Sequence, residues 1–233
     1  MLPTKRSELI HGLGLVPHPE GGYFLETHRS GSTPMSSRGL TDKNVDKKAL
    51  VQTWSGEPRN ALTSIYWIPT LQSPKLRLVV YESDHVLYYQ GGQPFEFWLF
   101  DPSTDKLDHC VLGPDICNGQ ILQLPVRSGV WKCGHMLTNK ADQPYEFTMI
   151  GEAVGPGFDV KDFSWITIDM LERMCPIHIQ KLFEAFVNEK SLSSAKEKIQ
   201  DFDKYYDEAE DKKDLSLSPS QNRRLFQLNY EPF

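Results

Sequence analysis

The side chains able to do chemistry here are imidazoles, carboxylates and phenols set among short apolar runs. Asp84 and His85 adjoin, with Tyr66 and Tyr88 on neighbouring runs. An imidazole base with a phenol acid can move a proton at a carbon beside a carbonyl. Successive strand residues point to opposite faces, so Asp84 does not simply orient His85, and the alternative is a polar residue at a strand entrance. A second gathering, "PHPEGGYF" (Pro17 to Phe24), holds His18, Glu20 and Tyr23. Its reading is structural: Pro17 and Pro19 stiffen the chain, Gly21 and Gly22 admit positive φ, and Glu20 can satisfy loop amides. Glu26, on the following strand, is a pocket candidate because a strand holds its direction. Facing inward, it needs a partner: Arg29, Arg77 or a ligand. The aromatic set Tyr66, Trp67, Tyr88, Tyr89, Phe97, Trp98 and Trp131 alternates along the runs. About half should face inward, mostly as core, the rest lining a pocket suited to a flat or sugar-like ligand.

The elements that position these groups are short. Apolar or alternating runs recur at Leu62–Ile68, Leu76–Tyr81, Val86–Tyr89, Phe95–Phe100, Leu107–Leu112, Gln120–Leu124, Gly129–Cys133 and Tyr145–Val154, separated by Gly, Pro, Asn and Asp. With Gly22 to Arg29 they predict about nine strands in a sandwich or barrel, which also resolves the edge-strand problem. A short helix precedes them, capped by Thr4 and closed near Gly12 or Gly14. After them, Ile179, Leu182, Phe183, Phe186 and Val187 mark one stripe of an amphipathic helix with Pro176 in its first turn, packed outside the barrel or on a second subunit. The polar stretch 30–48 reads as a loop, and 201–214, with seven acids and three lysines, as a solvated segment. A linker over 214–219 leads to an apolar tail at Leu225, Phe226, Leu228, Tyr230 and Phe233.

The chain's 233 residues are enough to bury a core without disulfides. Its net charge of −6 comes with no dense basic patch, which argues against a nucleic-acid partner. No apolar run reaches membrane-spanning length and the first residues lack a signal core, so a cytoplasmic protein with no membrane partner is expected. Cys110, Cys117, Cys133 and Cys175 form no C-x-x-C pair and read as reduced thiols. P-loop, Rossmann, nucleophile-elbow and H-E-x-x-H motifs do not occur.

Three stretches carry a resemblance: "LGLVPHPEGGYFLETHRS" from Leu13, "TSIYWI…SDHVLYYQGGQPFEFWLF" from Thr63, and "LGPDICNGQILQLPVRSGVW…FTMIGEAVGPGFDVKDF" from Leu112. Together they resemble the cupin_5 family of the RmlC-like superfamily over about residues 7–165. The resemblance implies an all-β double-stranded β-helix, the cupin jelly roll, with a pocket at its mouth, and a homodimer. The domain is expected over 1–165, with a helical, acidic extension over 166–233. Relatives include sugar-nucleotide epimerases, metal-dependent oxygenases and decarboxylases, and binding proteins.

Cupin metal sites use two or three His and a Glu. With Gly92 closing the first motif, the family's acidic position falls on His85, its earlier His near Val79, its later His on Tyr88, and its second-motif His near Lys132, three residues before His135. The implied ligand set is eroded, and no cofactor is expected. A rebuilt divalent-metal site on His85, His135 and Glu152 is the alternative. Trp131 sits where the family has its own Trp, and "GPGFD" (Gly155 to Asp159) reads as a structural turn. The expected site is therefore Glu26, Tyr66, His85, Tyr88, Trp131, His135 and Glu152, with His85 and Tyr88 as the catalytic candidates. Three functions remain open: a small-molecule-binding cupin without metal; an enzyme, either an epimerase or isomerase of a carbohydrate-like or nucleotide-sugar ligand or a metal-dependent oxygenase; and a dimeric interaction module using the acidic tail.

Overall fold

A computed structural model describes residues 2–31, 50–53, 56–138 and 145–187. Most of the polar stretch 30–48, the acidic segment 201–214, the linker and the apolar tail lie outside the described residues. Among the described residues thirteen strands form, beginning with β1 (Val16–Pro17), β2 (Tyr23–Arg29), β3 (Leu50–Gln52), β4 (Pro58–Asn60), β5 (Thr63–Ile68) and β6 (Lys75–Tyr81). They continue as β7 (Asp84–Gly92), β8 (Phe95–Asp101), β9 (Lys106–Leu112), β10 (Gln123–Val126), β11 (Trp131–Met136), β12 (Thr148–Gly155) and β13 (Phe163–Trp165). Each of the nine runs read as a strand is one, and β1, β3, β4 and β13 are short additions that carry too few residues to show a period.

One sheet has six strands in the order β1-β2-β5-β12-β7-β10, and the other has five in the order β13-β6-β11-β8-β9. Strands β5, β6, β7 and β8 pass from sheet to sheet in turn, so the chain winds as a two-sheet jelly roll. Trp67, Leu87 and Ile150 of one sheet meet Val79, Phe95, Phe97 and Met136 of the other in the core between them.

A register shift in the β6–β11 pairing decides which residues face this core. Lys132 pairs with Val79 but Gly134 with Leu76, so β6 carries an extra residue there. Leu76 and Val79 thus both reach the interior, while Leu78 lies on the outer face beside Trp131 and Cys133. On β11, Lys132 and Met136 face inward and Trp131, Cys133 and His135 outward.

Helix α1 (Arg6–Leu13) ends at Gly14 in the left-handed conformation, φ 69°. Its start differs from expectation: Lys5 holds the cap position without a side-chain bond, and the Glu146 carboxylate accepts from the Arg6 N–H at 3.2 Å. The cap comes from a residue remote in sequence, which local pattern does not reveal. Leu9 of α1 packs with Ile68, Phe147 and Met149. Helices α2 (Ile168–Met174) and α3 (Ile177–Phe183) place Leu171, Ile179 and Phe183 on the outer face of the five-stranded sheet, against Leu78, Phe100 and Trp131. The expected stripe thus lies on the barrel, and α2, capped by the Thr167 hydroxyl, is an added helix.

The "PHPEGGYF" segment is the hairpin between β1 and β2, closed by His18 N–H to Gly22 O at 3.0 Å and Gly21 N–H to His18 O at 2.9 Å. Gly22 has φ 76°, and a Cβ there would overlap the Ile68 carbonyl. Gly22→Ala is therefore expected to destabilise the protein by at least ~2 kcal/mol through strain and overlap, measured as a lowered urea midpoint at unchanged slope.

Candidate functional site

The barrel interior is polar at one end. On β12, Glu152 sits in register between Leu87 of β7 and Ile65 of β5 and points inward, 4% exposed. From the facing sheet, Lys132 of β11, 2% exposed, donates from Nζ to Glu152 Oε1 at 2.9 Å. His85 of β7 brings Nε2 to 3.7 Å from the same oxygen. The Lys132 ammonium lies 4.7 Å from the centre of the Tyr81 ring, which packs 4.7 Å from the His85 ring. Tyr81 donates its hydroxyl to Glu20 Oε1 at 3.2 Å, and the Glu20 N–H donates to His18 Nδ1 at 3.1 Å.

These bonds set the protons. The Ser83 carbonyl, 3.2 Å from His85 Nδ1, can only accept, so Nδ1 carries the proton and Nε2 presents a lone pair. That Nε2 is buried without a hydrogen-bond partner among the described residues. In His18, Nδ1 accepts, so its ring proton is on Nε2. Burial drives both imidazoles down to about 4, with Lys132 opposing their charging and Glu152 favouring it. Both rings are neutral at pH 7.

The carboxylates diverge. Burial pushes Glu20 up to about 7, against the pull of Lys132. Burial would raise Glu152 as well, but Lys132 at hydrogen-bond distance, with His85 and His18, holds it below the ordinary carboxylate value. Burial, then the Glu20 and Glu152 charges, raises Tyr81 well above a free phenol. One carboxylate is thus ionised and the other near half-protonated at neutral pH, the pattern that separates a base from an acid.

A cavity of about 30 Å³ opens beside this cluster, lined by His18, Phe24, Glu26, Tyr81, Glu152 and Phe158 among others. Glu26 has the partner its inward direction required: Arg29 donates from Nε at 2.9 Å and Nη2 at 2.7 Å. Arg29 also donates from Nη1 to Asn60 Oδ1 and the Phe158 carbonyl, pinning the "GPGFD" turn to the cavity rim.

Of the residues expected at a site, the fold brings Glu26, His85 and Glu152 together. The other four lie elsewhere. Tyr66 joins the cluster under α1. Trp131 packs against Phe100 under α3. His135 stacks on Trp98, 5.5 Å between centres. Tyr88 follows the inward Leu87 and so takes the outer face. Four residues central to the cluster were not among those expected: His18, Glu20, Tyr81 and Lys132. The signal for two of them was the "PHPEGGYF" segment, whose turn chemistry concealed that its short hairpin folds back over the barrel mouth.

A lone-pair nitrogen beside a carboxylate is the beginning of a divalent-metal set. The third group present is an ammonium, and among the described residues no three His, Cys, Asp or Glu side chains are placed to hold one metal ion. The donor set does not fit a metal, and Lys132 supplies the positive charge beside Glu152.

The wound two-sheet barrel with a polar interior end defines a cupin. The match to a family model extends over residues 7–166, and the chain belongs to that family, Cupin_5, described as Cupin superfamily (DUF985). An uncharacterized Saccharomyces cerevisiae protein, YML079W, is 30% identical over 167 residues, 70% of this chain and 76% of its own. A hypothetical protein from Leishmania major superposes with a TM-score of 0.65 at 26% identity, covering 79% of this chain and 99% of its own. Protein SO0799 from Shewanella oneidensis gives 0.59 at 22% identity, over 79% and 98%, a likeness of fold. No helix among the described residues is long and apolar enough to cross a membrane.

Two measurements check this electrostatic picture. Raised from its ordinary 4.5 to about 7, Glu20 contributes stability that is fully present below 4.5 and lost as pH rises through 7. In Glu20→Gln that loss disappears, so the stability of the variant relative to wild type should climb by about 3 kcal/mol from pH 4.5 to 8 in urea melts, then level off. Separately, Lys132→Met should cost roughly 3–5 kcal/mol by stranding Glu152, while the double variant Lys132→Met, Glu152→Leu recovers most of it.

Proposed function

We propose that this chain is a small-molecule-binding cupin that works without a metal and takes a small, neutral, hydroxyl-bearing ligand of carbohydrate-like character. The observation that carries the reading is the buried polar cluster bordering a cavity, with one orphaned acceptor, His85 Nε2. A buried ion pair is weak as a source of stability and apolar replacement is often neutral or better, so such a cluster points to a site rather than to scaffolding.

The ligand class follows from the groups present. Lys132 and Glu152 cancel, so a charged ligand would enter an enclosed space without a counter-ion. Of the groups lining the cavity, the Glu152 and Glu26 carboxylates are acceptors, and acceptors select hydroxyl donors. A cavity of about 30 Å³, room for about two waters, holds the polar end of a molecule, the rest projecting from the mouth. Membership of the cupin family extends the proposal to a homodimer.

The test is a thermal-shift and calorimetric titration with glycerol, dihydroxyacetone, glyceraldehyde and glucose. A saturable stabilisation by at least one of them is expected, about 2.7 kcal/mol at a hundredfold excess over its Kd. It should vanish in Glu152→Gln and persist in His109→Ala, on the exposed edge strand β9. Binding untouched by Glu152→Gln, or no binding by any of the four, overturns the assignment.

A further inference from the structure

The cavity holds an acid and a base but no strong nucleophile. Neither Ser nor Cys lines it, and the Thr63 hydroxyl accepts from the Phe158 N–H at 2.9 Å. The groups at its wall can move protons and little else. Glu152 and Tyr81 both face it, and Glu20 stands behind Tyr81 at 3.2 Å from the phenol oxygen. Lys132 occupies Glu152 Oε1, which leaves Oε2 as the proton acceptor.

We propose that the cavity is an acid–base active site that moves a proton at the carbon beside the carbonyl of a small hydroxy-ketone or hydroxy-aldehyde, with Glu152 as the base and Tyr81 as the acid. The inference rests on the preceding assignment of this cavity as the ligand site and adds turnover to it. In the first step Glu152 Oε2 takes the carbon-bound proton, and the C–H electron pair becomes the C=C bond of an enediol. The carbonyl π pair takes the Tyr81 proton, and Tyr81 regains one from Glu20. Return of the proton from Glu152 to either carbon, with the hydroxyl that becomes the carbonyl handing its proton back through Tyr81 to Glu20, regenerates the carbonyl compound or its isomer and both acids, so no oxidant or reductant is needed. Glu152 and Tyr81 are the catalytic residues. Glu20 acts through Tyr81, and Lys132 orients Glu152; both are positioning residues.

The cavity, about 30 Å³, encloses the hydroxy-carbonyl end of the substrate, and the remainder projects from the mouth. The acid form of Glu20 is needed, and four groups face it: Tyr81 on β6, Lys132 on β11, Glu152 on β12 and His18 in its own turn. Burial among them lifts Glu20 to about 7, so turnover falls as pH rises through that value.

Incubation of the full chain with dihydroxyacetone in D₂O, followed by proton NMR, tests this. Deuterium should enter the carbon-bound positions on the order of a hundredfold faster than in buffer alone, with the rate falling above neutrality. Glu152→Gln and Tyr81→Phe should lose the excess; the latter keeps the packed ring and guards against misfolding. Glu20→Gln should lower the rate and erase the inflection near 7, and Glu20→Asp should restore part of both, which a merely structural role would not do. His109→Ala should match wild type. Saturable dihydroxyacetone binding, read in parallel by thermal shift, without exchange overturns the acid–base inference and leaves the binding assignment standing. Neither binding nor exchange overturns the acid–base inference, and the binding assignment falls with it if glycerol, glyceraldehyde and glucose also fail to bind. Exchange that survives Glu152→Gln or Tyr81→Phe overturns the base and acid roles of those two residues.

Discussion

The interior of this barrel is organised by one contact, the 2.9 Å ion pair between Lys132 and Glu152 across the two sheets. Two charges removed from water need each other, and each sets the proton affinity of its surroundings. Lys132 holds Glu152 ionised and opposes charging of both His18 and His85. Glu152 in turn opposes ionisation of Glu20 and Tyr81. Without the pair, the remaining contacts, such as that of Tyr81 with Glu20, would act on buried groups with no charge at the centre to set them apart.

The pair exists because of strand parity. Lys132 faces inward by the regular alternation of β11, which runs in unbroken register with β8, and the extra residue of β6 lets Leu76 and Val79 share that interior face with it. The same parity sends Trp131 and His135 outward, under α3 and against Trp98. Helices α2 and α3 then cover that outer face, which makes the five-stranded sheet apolar on both sides. Trp131 and His135 are thus committed to packing there, while the chemistry is confined to the opposite face of the same strand.

The hairpin of "PHPEGGYF" completes the enclosure. Its positive-φ glycines let β1 turn back on β2, and Trp67 Nε1 ties the turn down by donating to the Gly21 carbonyl at 3.1 Å. This carries Glu20 and His18 over the barrel mouth, where Tyr81 meets Glu20. A segment whose residue types are explained by turn formation therefore also supplies two of the six groups in the cluster. The backbone and side-chain roles are compatible because the glycines and prolines shape the turn while Glu20 and His18 project from it.

The strands, the punctuation between them, the family and the stripe of the C-terminal helix were legible in the order of residues alone, because period and turn chemistry are local properties. So were Glu26, His85 and Glu152, polar residues on runs whose directions alternate predictably. Folding was needed to place Lys132 with them and to separate Tyr66, Tyr88, Trp131 and His135 from them. Which face of a run turns inward is fixed by its pairing with strands distant in sequence, and a one-residue difference in that reading exchanges the two faces, which nothing in a lone sequence decides. The proton affinities likewise belong to the folded chain, since desolvation and charge at a few ångströms arise when residues 18, 20, 81, 85, 132 and 152 meet in one enclosure.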